Sequence, residues 1–175
     1  MAIAKSGSNV TTLFLEFSRS KLLEQYWPRM RACVESLTEE QVWWRPNRAS
    51  NSIGNLILHL NGNVRQWLVT SFNGSADTRD RPREFKAEGR ISVRTLLEEL
   101  GATVSQADQV LSRLEETDLA AVFPIQGYSV TGLEAIYHVV EHFGTHYGQI
   151  LYITKMLGDR DLGFYRELDK TGRAS

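Results

Sequence analysis

The sequence predicts an all-α protein, a four-helix bundle, and three observations carry that expectation. Apolar residues recur at helical spacing in four long segments. Ser52, Ser92 and Thr131 stand as caps at the heads of three of them. No convincing set of alternating, β-branched runs competes with the helical period. A chain of 175 residues fits one domain, 1–175, and can bury well over half of its unfolded surface without disulfides.

The first nine residues, MAIAKSGSN, are small and polar and are expected to be frayed, as are Lys170 to Ser175 at the other end. A helical stripe of Leu13, Phe17, Leu23, Trp27, Met30, Val34 and Leu37 predicts the first helix, roughly Thr11 to Ser36. Pro28 falls inside it, removes one amide donor and clashes with the Glu24 carbonyl, so a kink is expected there. Thr38 and Gln41 read as a capping box before a short turn, and Trp43 or Trp44 is expected to cover the end of the bundle. The second helix runs from Ile53 to about Phe72, with Leu56, Leu60, Val64, Trp67 and Leu68 facing inward and Gly54 and Gly62 permitting a close neighbour.

Asn73 to Arg90 reads as the longest loop, since it holds Asn73-Gly74, Pro82 and Gly89 among charges. Its mixed-sign run, Thr78 to Arg90, reads as solvated. This long connection between the second and third helices permits a crossover. Ser92 opens the third helix, carried by Leu96, Leu97, Leu100, Val104, Ala107, Leu111 and Leu114 and closed by Glu115 to Thr117. Phe123, Ile125 and Tyr128 alternate in the next connection, which allows a short extended piece. Thr131 and Glu134 form a second capping box for a fourth helix from Gly132 to Leu157, with Gly158 as its left-handed stop. Leu133, Ile136, Val140, Phe143, Tyr147, Ile150 and Leu151 form its apolar face, and Leu162, Phe164, Tyr165 and Leu168 could dock beyond it.

A formal net charge of −1 provides no basic footprint for nucleic acid or an anionic membrane. No run of about eighteen apolar residues suggests a membrane span. Cys33 is the single cysteine, which excludes an internal disulfide and suits a reducing cytoplasm. Its place beside core positions makes it inert packing rather than a nucleophile. A soluble, cytoplasmic protein is expected.

The polar stripe of the fourth helix is rich in imidazole. His138, His142 and His146 follow one another at intervals of four, so neighbouring rings stack on one face within reach of one ion. His59 sits on the second helix between Asn55 and Asn63 and would complete a three-histidine site. Spacing alone does not choose between the pair His138 and His142 and the pair His142 and His146. Asn55, Asn63 and Gln149 are candidates, by helical position, to orient the rings through their other nitrogens. Glu141, adjacent to His142, points about 100° away and is a poor candidate base.

The segments WWRPNRASNSIGNLILHLNGNVRQWL and EAIYHVVEHFGTHYGQILYITKML resemble the DinB-like superfamily, in an uncharacterised branch where N-S-I-G-N-L-x-x-H-x-x-G-N and H-x-x-x-H-x-G-Q recur. The resemblance covers nearly the whole chain. It implies a four-helix bundle of DinB/YfiT type, a homodimer, and a divalent metal held by His59, His142 and His146, with His138 beside them. Many relatives carry a histidine and an arginine where this chain has Thr145 and Tyr147, so substrate roles of those side chains do not transfer.

Three neutral imidazoles suit zinc or nickel, among other divalent ions, and leave at least one coordination position open. Such an open zinc site lowers the pKa of bound water to about 7, and a thiol there is held as the nucleophilic thiolate. The sequence therefore points to a metal-dependent enzyme, hydrolytic or thiol-transferring, on a small molecule. The competing expectation is a non-catalytic, stress-related metal or ligand binder or a dimeric interaction protein.

Overall fold

The computed structural model describes residues 9–159 and 161–166; Leu168 and the two terminal stretches expected to be frayed, apart from Asn9, lie outside them. Asn9 is ordered and caps the first helix, its Oδ1 accepting from the Thr12 amide at 2.8 Å. That helix comprises α1 (Val10–Ser20), a π-helical turn (Lys21–Tyr26) and α2 (Trp27–Glu35). The wider turn, in which the Trp27 amide reaches back to the Leu22 carbonyl, leads directly into Pro28 and accommodates the missing donor.

One extra residue per π turn rotates the upstream half by about 100° against the downstream half. The buried stripe is consequently Leu15, Ser18 and Leu22 followed by Met30, Cys33 and Val34. Leu13 and Phe17, expected inside, are exposed.

After α3 (Glu39–Trp43), the second long helix comprises α4 (Ile53–Val64), another π-helical turn (Arg65–Thr70) and α5 (Ser71–Asn73). Trp43 packs on the core and donates its indole N–H to the Ile91 carbonyl at 3.1 Å, while Trp44 remains partly exposed. Gly54 meets the Trp43 ring, where a Cβ would stand 2.8 Å from ring carbons. The close neighbour is thus an indole rather than a long helix.

The connection expected to be a loop contains α6 (Arg81–Lys86), started by Asp80, whose Oδ1 accepts from the Arg83 amide. The third long helix, α7 (Val93–Leu111), stops earlier than expected. Glu115 caps a separate short helix, α8 (Glu116–Ala120), through a reciprocal box with Asp118 rather than closing α7. A hairpin follows, with β1 (Val122–Ile125) antiparallel to β2 (Tyr128–Thr131), turning at Gln126 and Gly127, both with positive φ. The capping box of Thr131 and Glu134 then starts α9 (Gly132–Gly158), whose left-handed end residue is Asp159 and not Gly158.

The helix α4 packs against α7 and α9, and α2 packs against the same two from the other side. The order round the bundle is α2, α7, α4, α9, so the first and second long helices are diagonal and the connections cross the ends. Met30, Ile53, Leu60, Leu100, Ile136 and Phe143 form the centre of the core, each at most 1% exposed. On α9, Leu133 is exposed, contrary to its place in the expected apolar face. Leu162 and Phe164 pack back against the core. Among the described residues no helix is long and apolar enough to cross a membrane.

Candidate metal centre

The adjacency of α4 and α9 brings His59 opposite the histidine stripe. His59 Nε2 lies 3.2 Å from His142 Nε2, which lies 3.2 Å from His146 Nε2. These are the three donors, all within 4.8 Å of one another, that could hold a single ion. Four-residue spacing on a straight helix places His146 one turn beyond His142, while the bundle supplies His59 across the groove.

Hydrogen bonds at the far side of two rings fix which nitrogens carry protons. His59 Nδ1 stands 2.8 Å from Glu84 Oε2 and 3.1 Å from Arg79 Nη2; Arg79 Nη2 has the nearer carboxylate oxygen at 2.9 Å to donate to, and an ionised carboxylate only accepts, so the ring donates to Glu84. His146 Nδ1 donates in the same way to Gln149 Oε1 at 2.8 Å. Both Nε2 atoms therefore present lone pairs toward His142 Nε2, which has at most one proton to offer. A purely hydrogen-bonded arrangement leaves two acceptors facing each other, whereas a cation satisfies all three. Two of the three spacings agree, since nitrogens bound at about 2.0–2.1 Å to a tetrahedral ion stand roughly 3.3 Å apart, and the third pair lies within 4.8 Å. The donor set fits a divalent metal.

Burial, followed by the charges of His146, His59 and His138, pushes His142 down to about 3. Burial also lowers His146 and His138, so these rings are neutral, the form that binds metal, at ordinary pH. Burial opposes ionisation of Glu84, but the hydrogen bonds from His59 and Arg79 outweigh it and hold its carboxyl below the usual range.

Glu84 and Arg79 are the residues that the sequence reading missed. Both belong to the charged run expected to be solvated, yet their side chains are only 10% and 5% exposed. Arg79 forks onto the carboxylate, Nε to Oε1 at 2.7 Å and Nη2 to Oε2 at 2.9 Å, and sends Nη1 to Gln66 Oε1 at 2.9 Å. This bidentate geometry locks the group that locks His59. Gly62, three residues beyond His59, makes room: a Cβ there would overlap Glu84 Oε1 and stand 2.7 Å from Arg79 Nε. The only hint in the sequence was this glycine inside an otherwise regular helix.

The other expected residues divide. Asn63 Nδ2 donates to His138 Nε2 at 3.0 Å, and the His138 ring stacks on Trp67 at 4.0 Å. With that nitrogen engaged, His138 is not one of the three converging donors. Asn55 does not face the rings. Its Oδ1 closes the cap at Ser52 and accepts from Arg45, while its Nδ2 holds the Glu84 and Ala87 carbonyls at 2.9 and 3.0 Å. Asn55 thereby anchors the segment that delivers Glu84.

A cavity of about 490 Å³ opens beside the cluster, with His59, His142 and His138 on one wall and Trp67, Tyr128 and Arg81 on others. Its size suits a small molecule. The hairpin supplies Tyr128, so the β element forms part of this wall.

Comparison with known proteins agrees with this architecture. The DinB superfamily model matches residues 22–150. No curated protein matches the chain significantly. A conserved protein from Enterococcus faecalis superposes with a TM-score of 0.72 at 17% identity, covering 88% of this chain and 100% of that one. A DinB-like protein from Bacillus subtilis gives 0.64 at 20% identity, covering 85% of this chain and 97% of its own. Another DinB-like protein, from Bacillus cereus ATCC 10987, gives 0.64 at 14%, covering 83% and 91%. The four-helix architecture and a family match spanning most of the chain lead to one conclusion: the protein belongs to the DinB superfamily.

Proposed function

We propose that this protein is a divalent-metal-dependent enzyme acting on a small molecule, with the ion held by His59, His142 and His146. The observation that supports this reading most is the meeting of three imidazole Nε2 atoms, with His59 and His142 on the wall of a cavity. Zinc or nickel suits such donors. When bound, the ion would supply Lewis acidity toward a water or thiol entering its open position, for hydrolysis or thiol transfer.

The chain's own residues prepare that chemistry. Glu84 keeps the His59 proton on Nδ1, Gln149 does the same for His146, and the bundle keeps the rings from turning. His138, neutral and engaged by Asn63, faces the same cavity and is available to a substrate rather than to the ion. Phe17, Leu133 and Tyr137, left exposed on the first and last long helices, support a homodimer. The lone buried thiol of Cys33 fits a reducing cytoplasm, and the net charge of −1 does not suit nucleic acid.

Elemental analysis of protein purified without a nickel column tests the assignment. One equivalent of metal per chain is expected, with loss in His59→Ala and His146→Ala and retention in His138→Ala. Metal-loaded and metal-stripped samples are then assayed on activated esters and on thiol cosubstrates with electrophiles. Turnover only when loaded supports the enzyme. Stoichiometric metal without turnover on either substrate class identifies a binding protein instead.

A further inference from the structure

The cavity beside the three histidines holds one arginine that makes no salt bridge among the described residues. Arg79 is consumed by Glu84 and Gln66. Glu134, a carboxylate on the cavity, accepts from the Thr131 amide and hydroxyl at 2.7 and 2.8 Å; it keeps its charge but makes no ion pair with Arg81. Arg81 is exposed and lines the same space. Its guanidinium lies 5.1 Å from the Phe85 ring centre, and that ring lies 4.8 Å from the ring of His59. No carboxylate pairs with Arg81 among the described residues. The contacts of Arg81, Phe85 and His59 lead from a guanidinium without an ion pair to the candidate metal centre.

The remaining wall is aromatic and short of partners. Trp67 and Tyr128 line it, and Trp67 Nε1 and Asn63 Oδ1 are buried without a hydrogen-bond partner. A ligand matched to these surroundings carries one negative group for Arg81 and a flat apolar body for the aromatic wall.

We propose that the cavity binds small carboxylates with an aromatic or similarly planar body, the carboxylate seated on Arg81 and the body directed toward the histidines. The assignment rests on the proposed site and names its substrate class. A carboxylate rather than a phosphate is assigned because one guanidinium matches one negative charge, whereas a phosphate group carries about −1.5 to −2.

Titration calorimetry with benzoate, benzamide and benzylamine, on metal-free and zinc-loaded protein at moderate salt, tests it. Saturable benzoate binding is expected even without metal, at least tenfold tighter than benzamide, with benzylamine weakest. Arg81→Gln should weaken benzoate at least fivefold in both forms, and Arg83→Gln, an exposed arginine on the same short helix, should leave it unchanged. Equal benzoate affinity in wild type and Arg81→Gln overturns the proposal, as does benzamide binding as tightly as benzoate or no benzoate binding at all. Inorganic phosphate binding in place of benzoate also overturns the carboxylate assignment. The metal-free arm separates the two readings: failure to bind zinc, with the benzoate pattern intact, removes the metal centre and leaves the carboxylate pocket.

Discussion

At the residue scale, the feature with the largest consequence is the Glu84 carboxylate, set between the His59 ring and the Arg79 fork. Glu84→Gln keeps the volume but removes the charge that favours a proton on Nδ1. Zinc affinity should fall about 10–100-fold, read by competition with a chelating dye. The same substitution made in His59→Ala should change affinity little, because its route to the ion is gone. An equal loss in both backgrounds would mean that Glu84 acts only on the fold.

Cys33 shows the opposite use of burial. Burial pushes its thiol from 9.0 up to about 11, so the folded state prefers the neutral form. The unfolded chain gives up that proton first, so this contribution to stability is whole below pH 9 and disappears as pH climbs through about 11. Iodoacetamide at pH 8 should leave the native thiol unmodified and label it promptly in urea; prompt labelling of folded protein would contradict the burial.

At the element scale, α4 is where packing and site meet. Gly62→Ala would drive a methyl group into the Arg79–Glu84 pair, costing about 1–3 kcal/mol in urea unfolding and weakening the ion's hold at His59. Gly148 on α9 is the matched comparison, since a Cβ there meets nothing within 4 Å. Gly148→Ala should stabilise by about 0.8–1 kcal/mol through helix propensity alone. If both substitutions had the same sign, the steric reading of Gly62 would be wrong.

These elements also show what could be read from the chain. Helical period and caps at Ser52, Ser92 and Thr131 disclosed the long helices, because both signals are local. The faces of the first helix were misjudged because the π turn at Lys21–Tyr26 adds a residue that no periodic count anticipates. Spacing put His142 and His146 on one face but left His138 in contention. That choice depends on where Asn63 sits, a contact between helices. Arg79 and Glu84 looked solvated because a buried ion pair has the composition of an exposed one, and only tertiary pairing makes the difference.

At the scale of the whole molecule, the expected homodimer makes a direct prediction. Sedimentation should give twice the chain mass of 19.9 kDa. Phe17→Glu combined with Tyr137→Glu should give a folded monomer, since both side chains are more than 60% exposed and contribute little to the chain's own core. A monomer at every concentration in the wild type would remove the dimer from the reading. The bundle's diagonal arrangement, with α2 and α4 sharing α7 and α9 as neighbours, was not legible from loop lengths, which permitted a crossover without requiring one.

The guard on His59 comes from the stretch between α5 and α7, most of which faces water apart from the Arg79 and Glu84 side chains. Asn55 and Arg45 tie this flap down through the Glu84, Phe85 and Ala87 carbonyls, so it swings out only as those bonds open, a smaller unit than the bundle. Traffic at the ring beneath it would then be timed by this small excursion, and amide exchange at 79–86 should run ahead of that in α4 and α9.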